Sequence, residues 1–185
     1  MKPTTRRILI ILGLVLGGLC LIACFAVGGL AAFGPRLYDS MLAQSSLPVG
    51  EVAPDFELAT LTVDTVRLSQ FLGRPVLLSI GATWCPDCLR EIPLLQQLHE
   101  RHPELVILMV DVKEDRETVQ AFADKQGLTF PVALDLDGKV YEQYRVLAIP
   151  TELLIDEKGV IRARLIERVT ADTLPAMLRS AGIEP

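Results

Sequence analysis

The sequence predicts a single α/β domain with a central mixed β-sheet and helices on both faces, placed after one N-terminal apolar span. Three observations lead to this prediction. The chain has 185 residues, enough for one ordinary domain and an anchor. Residues 8–33 form a run of 26 residues without a charged, amide or hydroxyl side chain. Beyond this run, segments with the periodicity of strands and of helices alternate along the chain.

The apolar run has the length and the flanking charges of a transmembrane helix. A helix of 26 residues is about 39 Å long, more than the roughly 30 Å hydrocarbon core of a bilayer. Lys2, Arg6 and Arg7 precede the run, and all 23 acidic residues follow it. The positive-inside rule therefore predicts a cytoplasmic segment at residues 1–7, a single-pass signal-anchor at residues 8–33 in the cell membrane, and an extracytoplasmic remainder.

Two other fates of the apolar run stay open. The apolar part of a cleaved signal peptide is usually only about 7–15 residues long, which favours the uncleaved anchor. Residues 21–24, Leu-Ile-Ala-Cys, resemble a bacterial lipobox, and this alternative makes the protein a lipoprotein anchored at Cys24. Conventional cleavage near Ala31 or Ala32 is the third alternative. All three export the domain.

The exported part is acidic. After residue 33 it has 15 basic and 23 acidic residues, a net charge of −8. This charge excludes a protein that binds nucleic acid through a basic surface. Residues 34–53 show no periodicity and contain Gly, Pro, Ser and Gln, which predicts a linker. The folded domain is then expected over residues 54–183.

The periodicity of the domain predicts the elements in order. Apolar residues alternate around residues 62–65, as in an N-terminal β-hairpin, and residues 69–72 suit one helical turn. Residues 76–80 and 105–110 are continuous apolar runs, typical of strands buried on both faces. The remaining predictions are a helix from Pro86 to before His102, a helix capped by Asp115 and ended by Gly127, an extended piece at 130–134, a short helix at 139–144, a hairpin of strands 151–155 and 160–166, and a final helix from Thr170 to about Ala181.

The most informative stretch is Trp84-Cys85-Pro86-Asp87-Cys88, because it joins a buried strand to a helix. A thiol at a helix N-terminus faces unpaired backbone N–H groups and the positive end of the helix dipole, which stabilise a thiolate. Cys88 lies about one turn further in. The spacing predicts an exposed nucleophile at Cys85 and a more buried partner at Cys88.

Two structural explanations of this Cys pair are weaker. A zinc site needs about four ligands, and the candidates His99 and His102 lie two to three turns further along the same helix. A purely structural role for a Cys85–Cys88 disulfide is the other alternative in an exported protein. Such a disulfide closes too small a loop to constrain the unfolded chain strongly. Thiol–disulfide chemistry is the favoured interpretation, and it requires no metal.

The Trp-Cys-x-x-Cys motif after a strand, together with Ile149-Pro150-Thr151 before a hairpin, resembles the thioredoxin superfamily. More closely, residues 49–183 resemble the membrane-anchored TlpA/ResA-like redoxins, which carry the AhpC/TSA domain type. The resemblance implies a thioredoxin-like fold and a thiol–disulfide oxidoreductase whose redox centre is the Cys85–Cys88 disulfide, with no other cofactor.

The resemblance also implies residue roles. Cys85 attacks a substrate disulfide and Cys88 resolves the mixed disulfide. Pro150 is expected to be a cis-proline beside the pair, and the Ile149 backbone to bind the substrate chain. Trp84 and Pro86, which flank Cys85, are further candidate substrate-binding residues.

Glu91 lies three residues after Cys88, on the same side of the predicted helix. In ResA-like proteins a glutamate at this spacing is linked to cysteine acidity, so Glu91 is a candidate proton acceptor for Cys88. The negative charge of Asp87 opposes a strongly acidic Cys85, which favours a reductant over an oxidant. Ser79 lies where cytoplasmic thioredoxins have a buried Asp, so that position lacks a carboxyl group.

The motif and the resemblance leave three functions to compare. The first is reduction of exported proteins, for which the resemblance implies cytochrome c apoproteins as clients and a membrane electron donor of the CcdA/DsbD type. The second is a peroxiredoxin-like antioxidant peroxidase, against which Ala82 and Leu78 lie where that motif requires Thr or Ser and Pro. The third is a Sco-like copper assembly factor, which uses Cys-x-x-x-Cys rather than the spacing found here.

Overall fold

The computed structural model describes residues 47–62 and 65–185. Its elements alternate in type along the chain, as the periodicity predicts. In order they are β1 (Glu57–Thr60), β2 (Val66–Arg67), a 3-10 turn (Leu68–Phe71), β3 (Val76–Gly81), α1 (Pro86–Arg101), β4 (Val106–Val112), α2 (Arg116–Gln126), β5 (Val132–Asp135), α3 (Lys139–Gln143), β6 (Thr151–Ile155), β7 (Ile161–Leu165) and α4 (Leu174–Ser180).

The described strands form one mixed sheet in the order β2-β1-β5-β4-β3-β6-β7. The three central strands, β5, β4 and β3, are parallel, whereas β1, β2, β6 and β7 pair antiparallel with their neighbours. All residues of β3 and β4 are buried, as expected for continuous apolar runs with helices on both sides. The predicted α/β class, mixed sheet and N-terminal hairpin are confirmed.

Side chains of the central strands alternate between two apolar layers. One layer contains residues of α1, α2 and α4, and we call this side of the sheet the α1 face. The other contains residues of α3 and the 3-10 turn, and we call it the α3 face. Along β3, Leu77 belongs to the α1 face, and Val76 and Leu78 to the α3 face.

Local signals fix the ends of α2. The Asp115 side chain accepts a hydrogen bond of 2.9 Å from the Thr118 N–H, which caps the helix at its start. Gly127 follows the last turn with φ 65°, a left-handed conformation that favours glycine. Both ends are as predicted.

The last helix begins later than predicted. It starts at Leu174 rather than Thr170, and Pro175 lies in its first turn. A helix that began at Thr170 would place Pro175 in its second turn, where the ring clashes with a carbonyl and no N–H is available. Thr170 and Thr173 instead form reciprocal hydrogen bonds from backbone N–H to side-chain hydroxyl.

The folded unit includes residues from the end of the predicted linker. The Gly50 N–H donates to the Ile161 carbonyl and the Ala53 N–H to the Gly159 carbonyl, both at 2.8 Å. The predicted transmembrane segment, residues 8–33, lies outside the described residues. Within the described part, none of the helices combines the length and the apolar character that crossing a bilayer requires.

Candidate active site

The two cysteines lie at the junction of β3 and α1, and they form a disulfide with a Cα–Cα distance of 5.2 Å. Cys85 is the N-cap of α1 in an extended conformation, and its Sγ accepts a hydrogen bond of 3.2 Å from the Cys88 N–H. Pro86 occupies the first turn of α1, where a backbone N–H has no partner within the helix. Its missing N–H therefore costs no hydrogen bond. The helix N-terminus therefore directs a donor at Cys85 Sγ, as the motif predicts.

The predicted difference in exposure is not seen in this disulfide-bonded form. Cys85 is 4% exposed and Cys88 3% exposed, because the S–S bond ties the first residue to the buried second one. The neighbouring Trp84, by contrast, is 68% exposed. What distinguishes the two cysteines is position: one is the helix cap and the other lies inside the first turn.

Gly81, the last residue of β3, makes room for the second cysteine. A Cβ atom at this position would lie 3.0 Å from Cys88 Sγ, closer than nearly all real contacts of this kind. The absent side chain lets the sulfur approach the strand directly. Cys88 Sγ therefore lies against the end of β3.

The predicted cis-proline is confirmed: the Ile149–Pro150 peptide bond is cis. It precedes β6, which pairs with β3 so that Thr151 lies opposite Ile80. The Thr151 hydroxyl donates a hydrogen bond of 2.7 Å to the Ala148 carbonyl and so braces the loop. This register brings Pro150 to the same end of β3 as the cysteines.

An open groove of about 350 Å³ adjoins the motif. Trp84 and Ile149, both predicted to bind substrate, contribute to its walls together with Tyr141 and Lys113. Lys113 has a left-handed backbone (φ 61°), and its Nζ lies 5.8 Å from the centre of the Tyr141 ring. Because Trp84 precedes Cys85 and Ile149 precedes Pro150, the groove adjoins both parts of the motif. A smaller apolar cavity, about 210 Å³, includes Val76 and so lies at the other end of β3.

Glu91 is buried on the inner side of α1, one turn after Cys88. Its Oε2 accepts a hydrogen bond of 2.9 Å from the Val169 N–H. Burial raises the pKa of Glu91 to about 7, while the Val169 N–H and a hydrogen bond with Glu152 act in the opposite direction. A carboxyl group with this pKa exchanges protons readily near neutral pH.

Glu152 is a site residue that the sequence analysis missed. It lies on β6 with its Cα opposite Ser79 of β3, and it is fully buried. Burial, and then the charge of Glu91, raise the pKa of Glu152 well above its ordinary value. Two polar side chains act on Glu152: the Ser79 hydroxyl lowers its pKa by hydrogen bonding, and Glu91 raises it. A charged residue inside a predicted strand whose last three residues are apolar is the signal in the sequence that could have marked it.

A second missed group holds the loop before Cys85. The Glu114 carboxylate accepts hydrogen bonds from the Thr83 N–H at 2.6 Å and the Thr83 hydroxyl at 2.7 Å. Asp111, fully buried at the end of β4, lies opposite Gly81. Burial, and then the charge of Glu114, raise the pKa of Asp111 to about 8. The pairing of Asp111 with Gly81 could not be predicted without the strand register.

The described residues offer no candidate metal centre, since no three His, Cys, Asp or Glu side chains are grouped to hold an ion. What they bring together is a disulfide at a helix N-terminus, a groove beside it and buried carboxyl groups behind it. This arrangement can exchange a disulfide with a bound thiol or disulfide and move a proton at the buried sulfur.

Comparisons with known proteins agree with this chemistry. The AhpC/TSA family model matches residues 49–164. The thiol-disulfide oxidoreductase ResA of Geobacillus kaustophilus is 34% identical over 154 residues, which cover 82% of this chain and 88% of that protein. Among solved structures, a provisionally named thiol:disulfide interchange protein DsbE of Chlorobium tepidum has a TM-score of 0.69 at 28% identity and covers 74% of this chain and 99% of its own.

StoA of Bacillus subtilis is a further structural relative, with a TM-score of 0.58 at 29% identity, covering 66% of this chain and 95% of StoA. The family match covers most of the chain, and the relatives share the thioredoxin-like fold described above. The chain therefore belongs to the AhpC/TSA family and is a thiol–disulfide oxidoreductase of the ResA-like, thioredoxin-fold type.

Proposed function

We propose that this protein reduces disulfides in exported proteins from a position on the outer side of the cell membrane. The observation that carries the proposal is the disulfide at the start of α1, with Glu91 buried one turn behind it. The predicted signal-anchor at residues 8–33 supplies the membrane attachment, or Cys24 if the chain is a lipoprotein. The apoproteins of c-type cytochromes are the proposed clients.

In the proposed reaction, the Cys85 thiolate attacks a client disulfide. One client sulfur leaves as a thiolate, and the other forms a mixed disulfide with Cys85. The Cys88 N–H that points at Cys85 Sγ, together with the helix dipole, stabilises the attacking thiolate. Cys88 then attacks Cys85 Sγ, which releases the second client sulfur and leaves the Cys85–Cys88 disulfide.

Cys88 must lose its proton to act as a nucleophile, and we assign Glu91 as the proton acceptor. It is buried on α1 one turn from Cys88, and its pKa of about 7 suits exchange at neutral pH. The return to the dithiol needs two electrons, for which we propose a membrane dithiol donor of the CcdA/DsbD type.

Binding of the client is assigned to the groove beside the cysteines. Trp84 provides a large exposed aromatic surface, and Ile149 lies on the other wall next to the cis-proline, Pro150. Pro86 covers the first turn of α1 and is exposed beside Cys85. A client segment in extended conformation fits between these walls.

The reduction potential of the full-length protein in detergent tests the direction of electron flow. Equilibration with thiol buffers should give a value near or below about −230 mV, that of a donor of electrons. A value near about −120 mV would identify an oxidant and contradict the proposed direction. A Cys85→Ser, Cys88→Ser variant corrects for Cys20 and Cys24, and protease accessibility of the domain in intact cells tests its location.

A further inference from the structure

Glu152 and Glu91 meet in the interior from two different elements, the β6 strand and the α1 helix. Both are buried, with Glu152 fully enclosed and Glu91 1% exposed. As a carboxylate, Glu152 has the Ser79 hydroxyl nearby to favour its ionised form, but neither of its oxygens makes a hydrogen bond of good geometry. As a neutral acid it gains an O–H group, and the Glu91 carboxylate is the acceptor beside it.

The sheet register places this pair close to Cys88. Cys88 Sγ lies against Gly81, and Ser79 is two residues earlier on the same side of β3, about 7 Å away. Glu152 is directly opposite Ser79, and paired Cβ atoms in antiparallel strands are about 5 Å apart. The Glu152 side chain therefore lies on the α1 face beneath the redox pair.

We propose that Glu152 is a positioning residue: it remains protonated, donates its O–H to the Glu91 carboxylate, and so keeps Glu91 able to accept the Cys88 proton near neutral pH. This inference rests on the proposed function and adds a residue to it. A charged and buried Glu91 needs hydrogen-bond donors, and the structure offers the Val169 N–H from one side. Glu152 supplies the second donor from the other side.

The charges around the pair agree with this role. Around Glu91, Arg168 favours the ionised carboxylate and Asp87 opposes it. On β3, the neighbour of Glu152 is the neutral Ser79, and on β7 it is Leu165. The described groups facing Glu152 therefore include no cation that would favour its ionised form, and the proton stays on it.

The Cys88 thiol gives its proton to Glu91, and its sulfur forms a bond to Cys85 Sγ. The bond between Cys85 and the client sulfur breaks, and the client leaves as a thiolate with the electron pair. Two electrons have passed from the two cysteines to the client disulfide, while Glu152 keeps its own proton throughout.

Rates of the resolving step, measured by rapid mixing of the reduced full-length protein with a disulfide-containing peptide between pH 5 and 9, test the proposal. In Glu152→Leu, which removes the donor, we expect the pH midpoint to rise by about one unit and the rate at pH 7 to fall about tenfold. In Glu152→Gln, whose amide N–H replaces the donor, the midpoint should stay at the wild-type value. Glu157→Gln, exposed in the turn after β6, is the matched control and should behave as wild type.

Two results would overturn the proposal: an unchanged midpoint in Glu152→Leu, or equal slowing in the Leu and Gln variants, which would indicate a packing role only. Infrared spectroscopy needs no destabilising change. Because Asp111 has a pKa of about 8 and would add its own band, the spectra are recorded in an Asp111→Asn background. This background should show a protonated carboxyl band at pH 8 that disappears when Glu152→Gln is added and persists when Glu157→Gln is added, and its absence from the background protein would refute the proposal.

Different results would show that the proposed function, rather than the role of Glu152, is wrong. If the wild-type protein does not reduce the peptide disulfide at any pH, or has the potential of an oxidant, the reductase assignment is wrong. If the wild type is an active reductase and the Glu152→Leu profile matches it, only the role of Glu152 is wrong.

Discussion

The two faces of the sheet bury carboxyl groups in different ways. On the α3 face, Asp135 is fully buried at the end of β5, and its two oxygens accept hydrogen bonds from the Val140 and Tyr141 N–H groups at 3.1 and 2.9 Å. On the α1 face, Asp111 and Glu152 are equally buried, yet neither has a carboxyl oxygen in a hydrogen bond of good geometry.

The difference separates a structural from a chemical use of the same functional group. Both oxygens of Asp135 are paired with backbone N–H groups in the first turn of α3. The oxygens of Asp111 and Glu152 make no hydrogen bonds of good geometry, and burial raises the pKa of Asp111 to about 8 and that of Glu152 well above its ordinary value. We expect substitution of Asp135 on the α3 face to change stability without affecting the thiols, and substitution of the buried carboxyl groups on the α1 face to change the pH dependence of stability or of the thiol chemistry.

The largest expected effect is on turnover. Cys88→Ser should lower the steady-state rate of disulfide reduction by at least about 10³-fold, because the mixed disulfide at Cys85 cannot be resolved. Mass spectrometry should detect the trapped adduct. Asp135→Asn, a buried change on the α3 face, serves as the control and should turn over normally; an active Cys88→Ser protein would contradict the assignment.

Asp135→Ala should lower the free energy of unfolding by about 3 kcal/mol, because two backbone N–H groups at the start of α3 lose their acceptor. Urea denaturation measures this change. The reduction potential of the variant should equal that of the wild type. A shifted potential would show that the two faces are not separate in function.

Asp111→Asn should stabilise the protein in a pH-dependent way. The pKa of Asp111 rises from 3.8 to about 8 on folding, so between these values the folded state holds a proton that the unfolded state has lost. The free energy of unfolding of the wild type therefore falls as pH rises through this range. The variant should match the wild type near pH 4 and exceed its stability at pH 8 by at least about 2 kcal/mol, since a shift of about four pKa units sets an upper limit of about 5 kcal/mol.

Urea denaturation at both pH values measures this difference. A difference between Asp111→Asn and wild type that is the same at pH 4 and pH 8 would mean that Asp111 is ionised in the folded protein. Burial on the α1 face would then not keep Asp111 protonated in the folded protein.

The smallest effect is expected at Gly81. A methyl group there meets Cys88 Sγ at 3.0 Å, so Gly81→Ala should destabilise the oxidised protein by about 1 kcal/mol. In a Cys88→Ala background the contact is gone and the same substitution should be neutral. A double-mutant cycle measures the difference, and a cost independent of residue 88 would point to the backbone instead.

Most of the fold could be predicted because its signals are local. Asp115 and Gly127 mark the ends of α2 by their own conformational preferences, and the apolar run at residues 76–80 requires burial on both faces. The start of α4 was predicted too early because the position of Pro175 within the first turn was not weighed.

The site could be predicted only as far as it is contiguous in sequence. Cys85, Cys88 and Glu91 lie on one helix, so spacing alone relates them. Glu152 and Asp111 reach the site through pairing with Ser79 and Gly81 in neighbouring strands. Strand register is a long-range property, and a single sequence without that register leaves these two residues among ordinary acidic side chains.

The chain contains a single tryptophan, and that residue is Trp84, next to Cys85 and 68% exposed. All tryptophan emission of the protein therefore originates at the redox motif. Changes at the cysteines and occupancy of the groove act on one fluorophore, while the rest of the molecule contributes no tryptophan background. The protein carries its own optical reporter, and intrinsic fluorescence can follow each half of the reaction without a label.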